Sequence, residues 1–433
     1  MRGRDYRSEK VFVTNERQVI SMGIVQAEST ARALFLRMSK FKWGLVRAFE
    51  MALQSLLFLV PKPNRLPPSD SAIRILVIEY WNLGDLAILV PFLSRLRNSF
   101  PGARIALLVN ANLKFFLEAQ ELVDEFISIR VPWAQHFSRW KKYNPFSGLV
   151  LPFLRVVWSL RKRRFDWVFS GRMDIRDNLL MWLSATPRRI GYGIGGGGFL
   201  LTDRVSPDLS RPHRADIWLR LLSAVDVPLD QSTGSLKVGE SGQQGAARFL
   251  RTRGIPHDAT IIGFHPGARI PIRRWGDERF TDVALTLLRH EDVHVVWFSE
   301  PGLSANPPAH DRCHLANLDF DSFLALLSQC RLLVCNDSGP MHLANLLAVP
   351  VVAIFGSTNP VWFGPRGSHD RVVIRPEMWC RPCFDYCIFD QPYCLRAIKP
   401  KEVLQAASDL LADVRPDVNH PSASPLLVRI RGN

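Results

Sequence analysis

The sequence predicts an α/β protein made of two doubly wound domains, and three observations predict it. From Ile73 onward, short apolar runs of the kind found in buried parallel strands alternate with helical stretches. The alternation restarts near Ile261, after a polar interval containing glycine and serine. The chain has 433 residues, 47% of them hydrophobic, enough for two or three domains of the usual roughly 100–200 residues. A mostly disordered chain is excluded.

In chain order, residues 1–70 carry twelve basic and six acidic side chains and end in Pro61-Lys62-Pro63-Asn64-Arg65-Leu66-Pro67-Pro68. This reads as a basic extension and a stiff linker, with no secretory signal in its first forty residues. The apolar stretch Trp43–Val60 is interrupted by Arg47, Glu50 and Gln54 and falls short of the about 20 apolar residues of a membrane span. Wound as a helix it places Val46, Phe49, Leu53, Leu56, Leu57 and Val60 on one face and the three polar residues on the other. An amphipathic helix lying on a surface is expected.

The first domain, 71–232, opens with a strand at Ile73–Ile78, a turn at Asn82-Leu83-Gly84-Asp85, a helical stretch, Pro101-Gly102 and a strand at Ile105–Val109. Between Ser128 and Phe165 there are nine Lys/Arg and no Asp/Glu, interleaved with Trp133, Phe137, Trp140, Tyr143, Phe146, Phe153 and Trp158. Cations among amphipathic aromatics suit a lipid headgroup layer, and Arg139, Trp140, Lys141 and Lys142 are the expected contacts to acceptor or membrane. The same composition suits single-stranded nucleic acid or a solvated face over core aromatics. The second domain, 233–414, is joined through Asp230–Gly245. Its strands are Ile261–Phe264, Val293–Phe298, Leu332–Cys335 and Val351–Phe355, with helical stretches at Phe280–Leu288 and Ser322–Ser328. Residues 415–433 read as a flexible tail. The net charge of +15 calls for an anionic partner, and seven cysteines, an odd number, read as thiols of a reducing compartment.

Ligands of open α/β sheets bind beyond the carboxyl ends of the strands. Three loops with candidate chemistry lie there, beside a fourth of small residues, Gly356-Ser357-Thr358-Asn359-Pro360 after Val351–Phe355. Leu83-Gly84-Asp85 offers a glycine for close backbone approach and a carboxylate able to take a proton from a hydroxyl; its ordinary alternative is a helix N-cap. Asp337-Ser338-Gly339-Pro340-Met341-His342 puts proline in the first turn of a helix, so backbone amides there suit a phosphate; capping without a ligand is the alternative. His265-Pro266-Gly267-Ala268-Arg269, continuing to Arg273-Arg274-Trp275, brings three guanidinium groups to a loop suited to a diphosphate, or forms a plain surface loop.

Taken together, these stretches resemble glycosyltransferase family nine, the heptosyltransferases, from about Ile73 to Val403. The resemblance rests on Ile75–Ile78 with Leu83-Gly84-Asp85 and Pro91, on Arg188-Arg189-Ile190-Gly191-Tyr192, on His265–Ala268 with Arg274-Trp275 and Glu278-Arg279-Phe280, and on Asp337–Ala344 followed by Pro350 and Phe355–Thr358. It implies a GT-B fold, two Rossmann-like domains facing a central cleft. It also implies inverting transfer of a heptose from ADP-heptose to the inner core of lipopolysaccharide at the cytoplasmic membrane face. By the same match Asp85 is the catalytic base, and Asp337, Ser338, Gly339 and His342 belong to the donor loop. His265, Gly267, Ala268, Arg269, Arg274 and Pro340 complete the expected donor site. The family commonly has lysine where this chain has Arg273, which retains the positive charge for the leaving diphosphate in a different geometry.

The resulting expectation is a cytoplasmic enzyme, peripheral on the inner membrane. Its partners are a nucleotide sugar and an anionic lipid-linked glycan, with no metal, no cofactor beyond the donor and no nucleic acid. An epimerase of similar architecture, or a degenerate fold kept for binding, is the alternative. Asp319-Phe320-Asp321 has the spelling of a metal-sugar motif, but Asp321 reads as the N-cap of the following helix. Cys380, Cys383, Cys387 and Cys394 leave zinc, free thiols and a disulfide open.

Overall fold

The computed structural model describes residues 40–57, 72–131, 150–229, 234–299, 305–384, 386–413 and 426–427. Two parallel sheets form its frame. The first contains β1 (Arg74–Ile78), β2 (Arg104–Asn110), β3 (Glu125–Ile129), β4 (Trp167–Phe169), β5 (Arg188–Gly191) and β6 (Asp203–Arg204), in the order β3-β2-β1-β4-β5-β6. In the second, β7 (Thr260–His265), β8 (Val293–Phe298), β9 (Cys313–Ala316), β10 (Leu332–Asn336), β11 (Val351–Phe355), β12 (Arg371–Ile374) and β13 (Leu426–Leu427) run in the order β13-β12-β11-β10-β7-β8-β9. Both orders reverse beside the first strand of the sheet, between β1 and β4 and between β7 and β10. That reversal opens the crevice in which doubly wound sheets bind ligands.

The longer helices are α1 (Lys40–Leu57), α2 (Leu83–Ser99), α3 (Val150–Arg163), α4 (Ile175–Leu183), α5 (Arg214–Arg220), α6 (Glu240–Thr252), α7 (Asp277–Leu287), α8 (Phe320–Leu327), α9 (Gly339–Leu346) and α10 (Pro400–Asp413). One apolar core runs between the domains, from Val77, Phe92 and Trp218 to Leu326, Met341 and Phe355. The opposite faces of the two sheets are covered separately. Val157 and Leu160 of α3 and Leu180 and Met181 of α4 cover the first, and Phe280 and Val283 of α7 with Val403 and Leu410 of α10 cover the second. Burial on both faces explains why β1, β10 and β11 read as continuous apolar runs rather than alternating ones.

Three sequence expectations are corrected here. The polar joint ends at Gly239, because α6 starts at Glu240; a Cβ on Gly242 would lie 2.4 Å from the Asp321 carbonyl oxygen, and one on Gly245 1.9 Å from the Ser322 hydroxyl. These glycines let α6 and α8 pack backbone to backbone, a role that composition does not distinguish from a linker. Asp319, not Asp321, caps α8, its Oδ1 accepting from the Ser322 amide at 2.9 Å. In α1 the half-buried positions are Trp43, Val46, Glu50 and Leu53. Glu50 thus lies on the packed face, where it accepts from the Gly197 amide at 2.6 Å, while Leu45, Phe49 and Met51 are exposed. Gly196 and Gly197, both at positive φ, turn that amide outward for a carboxylate to cap.

Of the expected tail, Leu426–Leu427 is described and pairs with β12. All seven cysteines are free thiols, and no group of three His, Cys, Asp or Glu among the described residues is placed to hold a metal. Arg139, Trp140, Lys141 and Lys142 lie outside the described residues.

Candidate active site

The site forms where the two crevices face each other. On the first domain, β1 ends at Ile78 and the chain turns through Glu79, Tyr80, Trp81 and Asn82 into α2. Asn82 is the N-cap, so Asp85 sits at the third helical position rather than at the cap itself. Its Oδ2 accepts from the Asn82 amide at 3.2 Å and from Asn82 Nδ2 at 3.3 Å, which fixes the carboxylate over the first turn. Its Oδ1 accepts from Arg172 Nη2 at 2.7 Å. Arg172 follows β4, the neighbour of β1 across the order reversal, and also donates to Glu79 Oε1 at 3.1 Å. Burial alone would raise the Asp85 pKa, but the Arg172 and Arg214 charges and the Asn82 amide outweigh it and hold the carboxyl below its usual range. For Glu79, burial dominates and pushes the pKa up.

Behind this pair, the Tyr80 hydroxyl donates to Asp177 in α4. Burial and the neighbouring Asp174 push Asp177 up to about 7. A carboxyl raised in the folded state keeps a proton that the unfolded chain has already lost, so stability falls between the unfolded value, about 3.9, and the folded one. Replacing Asp177 by asparagine should remove this slope. Urea denaturation should show the variant gaining on the wild type between about pH 4 and 7, by at most about 1.4 kcal/mol per unit, with a constant difference above. A difference that does not change with pH would mean that Asp177 is ionised throughout.

The residues expected at the donor side come together on the second domain. His265, nearly fully buried, ends β7, and the following loop carries Gly267, the buried Ala268 and the exposed Arg269. Arg274 Nε donates to the Ala268 carbonyl at 2.7 Å and so braces its own loop. Arg273 Nη1 lies 3.3 Å from Asp337 Oδ2. Asp337, buried after β10, also accepts from the Thr358 hydroxyl. Ser338 is the N-cap of α9, Gly339 and Pro340 form its first turn, and the amides of Ser338 and Gly339 lead the helix. Burial lowers the His342 pKa, so the ring is neutral at pH 7.

The domains touch within this site. A Cβ on Gly84 would lie 3.2 Å from His342 Cδ2 and 3.5 Å from Gly339 Cα. The other domain's helix start thus leaves no room for a side chain at position 84, whatever approaches the backbone there.

Sequence reasoning missed four groups here. Asn336 ties the loop after β10 to the loop after β7, accepting from the Trp275 amide at 3.1 Å and donating to the Pro266 carbonyl at 2.6 Å. The Cys335-Asn336-Asp337 run was the available signal, since a buried amide at a strand end needs partners on a neighbouring loop. Glu79, Arg172 and Arg214 gave no local signal, because the topology alone brings them beside Asp85.

Known proteins resemble this chain in sequence and in fold. The model of glycosyltransferase family 9 (heptosyltransferase) matches residues 153–393. Lipopolysaccharide heptosyltransferase 2 of Escherichia coli (strain K12) is 28% identical over 237 residues, covering 50% of this chain and 67% of that protein. Among solved structures, the glycosyl transferase family 9 from Veillonella parvula DSM 2008 superposes with a TM-score of 0.62 at 24% identity, over 79% of this chain and 98% of that one. For the E. coli ADP-heptose lps heptosyltransferase II the TM-score is 0.58 at 22% identity, over 79% and 99%. The architecture is that of the GT-B enzymes, and the family match runs from α3 across the cleft to the loop before α10. The chain belongs to glycosyltransferase family 9, the heptosyltransferases.

Proposed function

We propose that the protein is an inverting glycosyltransferase that moves a heptose from ADP-heptose to the inner core of lipopolysaccharide or a related anionic lipid-linked glycan. The observation that carries this reading is the placement of Asp85 on one crevice opposite Arg273 and the start of α9 on the other, with the two helix starts in contact through Gly84. An acceptor hydroxyl oxygen attacks the anomeric carbon and its proton passes to Asp85. The bond from that carbon to the diphosphate oxygen breaks on the opposite side, and ADP leaves with the electron pair. Arg273 and the amides of Ser338 and Gly339 stabilise the charge that develops on the diphosphate. Positive charge is supplied by the protein itself, so the reading requires no metal or cofactor. An epimerase, or a fold kept only for binding, is not favoured in a family of transferases.

We place the enzyme in the cytoplasm, peripheral on the inner membrane. No helix among the described residues is long and apolar enough to cross a membrane. Supporting peripheral contact, α3 exposes Val150, Leu151, Leu154 and Trp158 beside Arg155, Arg161 and Lys162, with Lys162 Nζ 3.4 Å from the Trp158 ring centroid. Apolar and aromatic side chains flanked by cations suit a headgroup layer.

Two measurements test the proposal. Calorimetry with ADP-, GDP- and UDP-sugars should show ADP-heptose bound at least tenfold tighter than the others; equal or absent binding of ADP-heptose would refute the donor assignment. Cosedimentation with anionic liposomes should be partly reversed by high salt, because screening weakens the ionic contacts but not the apolar ones. A protein left in the supernatant with anionic and neutral vesicles alike would refute the membrane assignment.

A further inference from the structure

Asp85 is engaged on both oxygens, by Arg172 on Oδ1 and by Asn82 on Oδ2. A carboxylate gripped by a guanidinium is a poor proton acceptor, since taking a proton forfeits the ion pair. Arg172 has another place to rest: its guanidinium lies 4.8 Å from the Trp81 ring centroid and donates to the buried Glu79. Beside it stands Arg214. Among the described residues, Arg214 enters no ion pair and donates one long hydrogen bond, 3.5 Å, to the Gly171 carbonyl. Burial first, and then the neighbouring Arg172, bring its pKa down to about 10, against the opposing pull of Asp85 and Glu79. Glu79 compensates only in part, because burial favours its neutral form.

We propose that Arg172 and Arg214 form a receptor for an anionic group of the acceptor, a carboxylate or a phosphate, and that its arrival draws Arg172 away from Asp85 and frees Asp85 to act as the base. The unmasking rests on the assignment of Asp85 above; the anion site does not. The arrangement makes the base available only when an acceptor is seated. Before that, water entering the cleft meets a carboxylate already committed to an ion pair, which protects the donor from hydrolysis.

The test is calorimetry on the full-length protein with the diphosphate site saturated by ADP, using inorganic phosphate and, separately, acetate as probes. At least one probe should bind the wild type; phosphate alone assigns a phosphate-bearing acceptor and acetate alone a carboxylate. Arg214→Gln should weaken binding at least tenfold. Asp85→Asn should tighten it several-fold, since Arg172 is no longer shared, and that gain should vanish in the Asp85→Asn/Arg172→Gln double variant, as groups acting through one contact are non-additive. The site is overturned if neither probe binds the wild type, or if Arg214→Gln binds as tightly as the wild type; if Asp85→Asn binds no more tightly, Arg172 is not shared and the unmasking falls. If Asp85→Asn binds phosphate more tightly yet still transfers sugar at the wild-type rate, the anion site stands and the unmasking falls.

Discussion

Asp85→Asn is expected to lower the transfer rate by about 10²–10⁴-fold, the usual range for loss of a positioned base. The affinity for ADP should stay within a few-fold, because the proposed diphosphate contacts belong to the other domain. Asparagine is close in shape and keeps one carbonyl, enough for the Asn82 amide that fixes the first turn, while the ion pair with Arg172 is given up, so α2 should start as before. Single-turnover rates measured beside ADP titrations check the result. Near-normal turnover would remove Asp85 from the chemistry, whereas a parallel loss of ADP affinity would show that the change had disturbed the contact between the domains.

Arg273→Ala should weaken ADP binding and lower turnover by about 10²-fold or more, as for loss of one preorganised charge at a leaving group. The substitution also strands Asp337, a buried carboxylate left with Thr358, so part of the effect will be structural. Two further variants separate the parts. Arg273→Lys should retain turnover within about tenfold if charge matters more than the fork of the guanidinium. Arg273→Ala combined with Asp337→Asn should regain thermal stability without regaining turnover. Unchanged ADP affinity in the alanine variant would direct attention to Arg269, the exposed arginine of the same loop.

The central strands are legible because parallel strands covered on both faces are continuous apolar runs, Val293–Phe298 and Val351–Phe355 to their observed ends, whereas the outer strands β3, β5, β6, β9 and β12 and the three-residue β4 are short or carry polar residues and give no such run. The donor side was legible for a related reason, since each of its loops follows such a strand directly and announces itself by glycine, proline and charge within a few residues. Tertiary placement was not. Arg172 reaches Asp85 from 87 residues away, a contact made only by the β1–β4 pairing. Gly242 and Gly245 were mistaken for linker glycines because close helix packing and flexibility favour the same residue. The face of α1 was misread at Glu50, whose charge belongs on a solvated side until a neighbouring loop offers it an unpaired amide.

The contact of Gly84 with Gly339 and His342 constrains how the molecule can move. A Cβ on residue 84 would come within 3.2 Å of His342 and 3.5 Å of Gly339, so the two helix starts have room for a hydrogen there and for little else. The same seam continues to either side: one apolar core passes between the domains, Arg366 pairs with Asp216 across it at 3.0 Å, and Phe116 meets Phe320 edge to face. Contacts spread along a seam resist rotation as well as approach, so Asp85 and the start of α9 are held at a set separation. A side chain at position 84 would act as a wedge in that seam, forcing the two helix starts apart.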